Sequence, residues 1–166
     1  MRIFLKWLIL LLAIIVLSQA LNILSYRILK KRILRKRKWD LNICCGKMDG
    51  GGINADIIPH ANVPRFVQID SVYSLPFRDH EFETVLCSHT MEHVEDPTAF
   101  FKELTRIGKQ VTIVLPPLWD LAGTLNIFEH RWIFLSFKKE HHRLPRHVRL
   151  PLSRTVQRIL GQRIHA

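Results

Sequence analysis

The chain has 166 residues, enough for about one domain, and carries 25 Lys and Arg against 14 Asp and Glu, a formal net charge of +11. With 48% hydrophobic residues and three cysteines, this composition excludes collagen-like, disulfide-rich and wholly disordered proteins. The charge is uneven, with a net +10 over residues 1–38, −6 over residues 39–137 and +7 over residues 138–166. We therefore expect a mildly acidic folded core between two basic segments.

The first 24 residues are almost wholly apolar from Ile3 to Leu24. A helix of this length spans about 33 Å at 1.5 Å per residue, close to the roughly 30 Å hydrocarbon layer of a bilayer. The sequence therefore predicts a transmembrane helix over residues 1–24. A buried core helix is the alternative, but so short a chain offers few partners to cover a helix that is apolar on every side.

A basic segment, residues 25–38, follows the apolar stretch and carries eight Lys and Arg, against Arg2 and Lys6 before it. Basic flanks stay on the cytoplasmic side, which predicts a single-pass membrane protein with its core domain on that side. The segment is expected to bind anionic lipid headgroups; a nucleic-acid patch is the less favoured interpretation. A cleaved signal peptide is the main alternative, since Ser18–Ala20 resembles a small-x-small cleavage site, although the apolar stretch continues beyond Ala20.

Three cysteines, Cys44, Cys45 and Cys87, are an odd number without C-x-x-C spacing. This pattern fits a reducing compartment and predicts neither disulfides nor a cysteine zinc site. We expect all three to act as small buried apolar residues.

The core, residues 39–137, contains five short apolar runs, which predict strands at residues 39–44, 53–58, 65–70, 84–87 and 111–115. A helix is predicted to begin at Pro97, with Asp96 as N-cap, and to end at Gly108. Short buried strands with at least one crossover helix predict an α/β fold with a Rossmann-like, mostly parallel sheet.

Polar residues follow the predicted strands where such sheets bind ligands, beyond the carboxyl ends. Gly46 follows the first strand, Asp56 lies in the last turn of the second, and Asp70 ends the third. Ser88 and His89 follow the fourth. The sequence thus predicts one polar rim along this edge.

The order of these motifs resembles a known family. Residues 41–46 and 53–57 read LNICCG and INADI, and are similar to the L-(D/N)-I-G-C-G and I-N-x-D-I opening of class I S-adenosylmethionine (SAM)-dependent methyltransferases. Asp70, LPFRD (75–79), FETV (82–85) and SHTMEHV (88–94) continue in the order of type 11-like methyltransferase domains. The resemblance covers about residues 39–117.

The resemblance implies a compact class I methyltransferase core that uses SAM. By this resemblance, the glycine-containing turn after the first strand binds the amino-acid tail, Asp56 binds the ribose hydroxyls, and Asp70 with Ser71 binds the adenine. The full set of expected cofactor-binding residues is Asn42, Cys44, Gly46, Asp56, Asp70, Ser71 and Ser88. His89 is the candidate general base, with a loop-fixing hydrogen bond as its alternative role.

Two positions depart from the family pattern, because Cys44 replaces the first glycine and Asn42 replaces an acidic residue. A catalytically inactive membrane scaffold or binding protein therefore remains the alternative to a membrane-anchored methyltransferase. The acceptor is a small molecule or a lipid- or glycan-linked group, and a membrane location favours the linked acceptors.

Two features of the sequence could suggest a metal site, but neither is expected to bind a metal. His89–His93 spells H-x-x-E-H, an inverted zinc-protease motif, but it follows a strand instead of lying on a helix. The basic C-terminal arm, residues 138–166, has irregularly spaced histidines.

The same arm is predicted to contain a short helix, capped by Ser153 and packed on the core or on an anionic membrane. Its apolar positions are Val156, Ile159, Leu160 and Ile164. Nucleic-acid binding is not expected, because no recognised module is present.

Overall fold

The computed structural model describes residues 2–60 and 62–161. The chain begins with a continuous N-terminal helix in three parts: α1 (Arg2–Ile23), a π-helical part (Leu24–Leu29) and α2 (Lys30–Leu34). Within the described residues, one helix, Ile3–Leu34, is long and apolar enough to cross a membrane. The large apolar side chains between Ile3 and Leu17 are exposed.

A six-stranded sheet in the order β3-β2-β1-β4-β5-β7 forms the centre of the described part of the chain. Its first five strands are parallel and β7 is antiparallel to β5, so the predicted α/β fold with a Rossmann-like, mostly parallel sheet is confirmed. The strands are β1 (Trp39–Ile43), β2 (Gly51–Asp56), β3 (Phe66–Gln68), β4 (Phe82–Ser88), β5 (Gly108–Val114) and β7 (Glu140–His141).

Strand β1 is central, because it pairs with β2 on one side and β4 on the other. Leu41 lies opposite both Ile53 and Val85 in register. The chain leaves β1 toward β2 and β3, and later returns to β4 and β5. The strand order therefore reverses between β1 and β4, and such a switch point opens a crevice at the carboxyl edge.

Side chains alternate between the two faces of the sheet, and each face packs against a different part of the chain. Leu41, Val85 and Ile113 pack in the main core with Phe100 and Leu104 of α3 (Pro97–Ile107). The opposite face is covered by the N-terminal helix, where the second apolar cluster comprises Ile33, Trp39, Leu86 and Val114, with Leu34 against it. Parallel sheets require cover on both faces, and the N-terminal helix supplies part of it.

This docking changes the interpretation of residues 25–38, which were predicted to be a juxtamembrane segment. Ser25, Lys30 and Ile33 are buried, so the first part of the segment is helical and packed on the core. The apolar residues at helical spacing continue to Leu34, and they extend the helix beyond residue 24.

The turn between β1 and β2 is short and contains no helix. Gly52, the second residue of β2, allows the backbones of β1 and β2 to approach closely here, because a Cβ on that residue would lie 2.3 Å from the carbonyl oxygens of Trp39 and Asp40. Strand β2 consequently begins at Gly51, two residues earlier than the apolar run predicted.

The C-terminal arm is partly integrated into the core. Strand β7, which lies in this arm, pairs with β5 of the main sheet. The predicted domain boundary at residue 137 therefore separates β7 from the sheet to which it belongs. A second, two-stranded sheet joins β6 (Trp132–Phe134) to β8 (His147–Arg149). A short helix, α4 (Leu121–Thr124), precedes β6.

The last helix, α5 (Ser153–Leu160), forms as predicted but its cap does not. Ser153 Oγ donates to the carbonyl of Leu150 at 2.7 Å, because Leu152, with φ of 63°, already turns the chain into the helix. Gln157 is buried while Ile159 and Leu160 are exposed, so the helix packs through a polar position. Ile164 lies outside the described residues.

The cap of α3 provides a test of the fold. Asp96 Oδ1 accepts from the backbone N–H groups of Thr98 and Ala99, both at 2.9 Å, as predicted. Asp96→Ala is expected to lower the free energy of unfolding by about 1 kcal/mol, measured by denaturant titration of the full chain in detergent. Asp96→Asn keeps an acceptor and should stay near wild type; equal losses in both variants would contradict a capping role.

Candidate active site

The switch point between β1 and β4 brings two turns together at the carboxyl edge of the sheet. Cys44–Gly46 follows β1, and β4 ends at Ser88, with His89 directly after it. Because β1 and β4 are paired in register up to Ile43 and Cys87, both turns leave the sheet side by side. Their position matches the ligand crevice of open α/β sheets.

Gly46 and Asp56 are in direct contact across this edge. The Gly46 N–H donates to Asp56 Oδ2 at 2.8 Å, and the Ile58 N–H donates to Oδ1 at 3.2 Å. Gly46 takes a φ of 54°, and a Cβ there would meet no atom within 4 Å. The Asp56 carboxylate is thus held in one orientation, and its remaining lone pairs are available to hydroxyl donors.

Asp70 and Ser71 extend the same edge beyond β3. The Ile69 N–H donates to the Asp56 carbonyl at 3.0 Å, which brings the following residue, Asp70, beside the Asp56 position. Asp70 is exposed, and Ser71 Oγ accepts from the Tyr73 N–H at 3.1 Å. The structure therefore brings Gly46 and Asp56 into contact and places Asp70 after the strand next to β2; a site shared by all three stays a prediction.

Asn42 lies beneath this rim. Its side chain is buried in β1, and Nδ2 donates to the Met48 carbonyl at 3.0 Å and to Asn54 Oδ1 at 3.2 Å. In this structure Asn42 positions the turn between β1 and β2; direct contact with a cofactor stays a prediction.

The backbone is strained at both turns of the crevice. Cys44 and His89 have φ of 51° and 57°, in the left-handed region that costs side-chain-bearing residues about 1–3 kcal/mol. Such strain concentrates at ligand sites. The sequence analysis identified Cys44 as a departure from glycine, and its positive φ explains why the family pattern has glycine there.

The cysteines carry no reactive thiolate in this environment. Burial raises the pKa of Cys45 to about 12, and burial also raises the pKa of Cys44 and Cys87. All three are free thiols, Cys45 and Cys87 buried and Cys44 half-buried. The predicted role as small apolar residues is confirmed for the two buried ones.

Ser88 supplies an orphaned polar group at the crevice. Its hydroxyl is buried, and Oγ has no hydrogen-bond partner within the described part of the chain. An unsatisfied buried hydroxyl costs free energy, so a ligand atom that pairs with it is favoured.

His89 uses both ring nitrogens. Lys139 Nζ lies 2.9 Å from Nε2, and Nδ1 lies 3.1 Å from Glu92 Oε1. Because an ammonium group only donates, Nε2 accepts and Nδ1 carries the proton. Burial lowers the pKa of His89 to about 4, and it lowers the pKa of Lys139 to about 8. These contacts show the loop-fixing role; the role as general base stays a prediction.

A cavity of about 400 Å³ opens beside His89. One wall is the N-terminal helix, through Gln19, Asn22 and Tyr26, and the facing wall includes His89, Asp120 and His130. Asn22 Nδ2 donates to Asp120 Oδ1 at 3.0 Å, and the Tyr26 ring meets the His89 ring edge to face at 5.1 Å. The helix therefore completes the cavity.

Sequence reasoning missed residues that line this cavity and one, Lys139, that contacts His89 beside it. Lys139 is buried and donates to Ser25 Oγ at 2.8 Å, but it lies in a strongly basic arm that predicts exposure. Asn22 could have been identified from the sequence, because it is one of the few polar residues in the apolar stretch. No sequence pattern identifies His130, since its position depends on the loop between α4 and β6.

Comparison with known proteins finds one family model that matches part of the core. Residues 54–115, from β2 through the end of β5, match the family model described as a methyltransferase domain. No curated protein matches the chain.

Two solved structures are similar over part of their length. The YcgJ protein from Bacillus subtilis is 22% identical, with a TM-score of 0.39, over 54% of this chain and 50% of that one. A SAM-dependent methyltransferase from Thermotoga maritima, described as a possible histamine N-methyltransferase, is 16% identical, with a TM-score of 0.41, over 70% and 61%. This chain thus spans half to about three fifths of those proteins. The part of the core from residue 54 to residue 115 is therefore similar to methyltransferase domains.

Proposed function

We propose that this chain is a membrane-anchored methyltransferase that transfers the methyl group of SAM to a lipid-linked or glycan-linked acceptor at the membrane surface. One observation carries the proposal: the cavity beside His89 is walled jointly by the apolar N-terminal helix and by the loops of the methyltransferase core.

The residues at the rim fit the cofactor. The oriented Asp56 carboxylate is proposed to accept hydrogen bonds from the two ribose hydroxyls, and the turn at Gly46, where a Cβ would meet no atom within 4 Å, is proposed to bind the amino-acid tail. Asp70 with Ser71 is proposed for the adenine edge, and the orphaned Ser88 hydroxyl for a further contact. When bound, SAM supplies an electrophilic methyl group on a sulfonium.

Exposure along the N-terminal helix supports membrane anchoring. Side chains from Ile3 to Leu17 face outward, whereas Ser25, Lys30 and Ile33 are buried on the core. The cavity residues Gln19, Asn22 and Tyr26 therefore lie at the core-side end of the apolar stretch, toward the headgroups when the helix spans a bilayer. The basic residues that follow favour the cytoplasmic side for the core.

Apolar side chains next to the cavity extend the proposed membrane-facing surface. Leu121, Leu125 and Phe128 are each at least half exposed, and Asp120, which precedes them, is tied to the N-terminal helix through Asn22. Exposed apolar residues grouped in this way mark interaction surfaces. This surface favours an acceptor that is held in, or attached to, the lipid layer.

In the proposed mechanism the chain mainly positions the acceptor. Aligning an acceptor oxygen with a methyl donor contributes about 7–11 kcal/mol in well-oriented reactions. His89 Nε2 is the proposed proton acceptor once Lys139 Nζ moves aside. Lys139 keeps its hydrogen bond to Ser25 Oγ in that step, so the ammonium group stays held.

The proposal is tested with the full chain in vesicles made from membranes of the cells that naturally carry it. After incubation with methyl-labelled SAM, we expect label in the lipid-extractable fraction or in glycan released from it. Label confined to water-soluble molecules would contradict the membrane acceptor. Bound SAM without transfer would favour the inactive scaffold.

Asp56→Asn is expected to weaken SAM binding by roughly 10- to 100-fold, because hydrogen bonds to a charged group contribute about 1.5–3 kcal/mol. Calorimetry of the full chain gives the affinity. Glu83→Gln is the matched control, since Glu83 lies near the amino end of β4, away from the rim. Equal affinity of Asp56→Asn and wild type would exclude Asp56 from the cofactor site.

His89→Ala is expected to lower the rate of methyl transfer by about 100-fold or more, the usual contribution of a general base, while SAM affinity stays unchanged. Single-turnover transfer measures the rate. His142→Ala, at an exposed histidine, serves as control. An unchanged rate would leave His89 with its loop-fixing role alone.

A further inference from the structure

A buried cluster of three side chains lies behind the acceptor cavity. Glu92, His93 and His130 are 1%, 4% and 7% exposed, and one ligand atom from each lies within 4.8 Å of the others. Glu92 and His93 are on the turn after β4, and His130 comes from the loop before β6. The fold thus joins two parts of the chain that are far apart in sequence.

Glu92 is the unusual member of the cluster. Both carboxylate oxygens are buried: the His89 Nδ1 proton faces Oε1 at 3.1 Å, and Oε2 has no hydrogen-bond partner within the described residues. Burying a carboxylate costs several kcal/mol unless a cation or hydrogen bonds compensate it. The site therefore favours a cation next to Glu92.

The histidine orientations fit metal ligands. His93 Nδ1 lies 2.9 Å from the Glu129 carbonyl, so Nδ1–H donates and Nε2 carries the lone pair. Metal-binding histidines usually donate their other N–H to a carbonyl in this way. His130 Nδ1 is buried and has no hydrogen-bond partner among the described residues. The two rings meet edge to face, with centroids 4.8 Å apart.

Neighbouring side chains hold these three residues in place. His89 Nδ1 lies 3.1 Å from the Glu92 carboxylate, and Gln157 Nε2 of α5 donates to the His130 carbonyl at 2.9 Å. Hydrogen bonds to metal-binding residues orient them and tune the affinity for the metal. They also explain why the last helix packs through a buried glutamine.

We propose that Glu92, His93 and His130 bind one divalent transition-metal ion of the Zn²⁺ class. Two imidazoles and a carboxylate are a donor set for such ions, and three protein ligands leave one position open. This departs from the sequence-based expectation of no metal site, because His130 completes a set that the H-x-x-E-H motif alone does not provide. A peptidase is not implied, since the motif lies on a turn.

The site also has a place in the proposed reaction. His130 lines the acceptor cavity, so the ion would lie at its wall and hold an acceptor oxygen in its open position. This placement rests on the proposed function, whereas the metal site itself does not.

The test uses the untagged full chain in detergent, stripped of metal and titrated with Zn²⁺ against a chromophoric chelator. We expect saturation at one ion per chain. Glu92→Gln and His130→Ala are expected to weaken Zn²⁺ binding by more than about 100-fold, since changes at residues that only hydrogen-bond to a metal ligand already cost about 10- to 100-fold. His142→Ala, an exposed histidine outside the cluster, should bind as wild type does.

Two further readouts keep the test independent of folding and of methyl transfer. Zn²⁺ should raise the Tm of the wild-type chain but not that of His130→Ala, and the visible spectrum of the Co²⁺ form should change in this variant. The Gln157 contact survives in His130→Ala, because it uses the backbone carbonyl. No saturable binding by wild type, or equal binding by His130→Ala, would overturn the proposal, whether or not the chain transfers methyl groups.

Discussion

The parallel pairing of β1 with both β2 and β4 is the constraint on which the rest of the structure depends. Leu41 sits opposite Ile53 and Val85, so the chain reverses its direction of travel across the sheet at β1. This reversal opens the crevice between the turns at Cys44 and His89, and it brings Asp56 to Gly46. The backbone strain at those turns is stabilised by the buried strands behind them.

The N-terminal helix has two roles that meet at one place. Its last turns cover the second face of the sheet through Ile33 and Leu34, while Asn22 and Tyr26 form a wall of the cavity beside His89. A helix that only anchored the protein would not need these polar contacts. In the proposed function, the same helix that holds the core at the membrane also delimits the place where an acceptor binds.

The fold could be predicted largely from local sequence, and the site only in part. Apolar runs located the five parallel strands, and Asp96-Pro97 located α3, because capping and strand burial are encoded by neighbouring residues. The proximity of Gly46 and Asp56 could be expected from motif order, whereas the place of Asp70 in the same site stays a prediction. The burial of Lys139 and the meeting of His130 with Glu92 could not be predicted, since the packing of distant loops leaves no periodic signal.

The central claim is that the rim beside the switch point holds the nucleoside-bearing cofactor. Calorimetric titration of the full chain with S-adenosylhomocysteine, the demethylated product, tests it without requiring knowledge of the acceptor. We expect saturable heat at one molecule per chain, together with a rise in Tm, because the ligand binds only the folded state. Absence of both heat and stabilisation would contradict it.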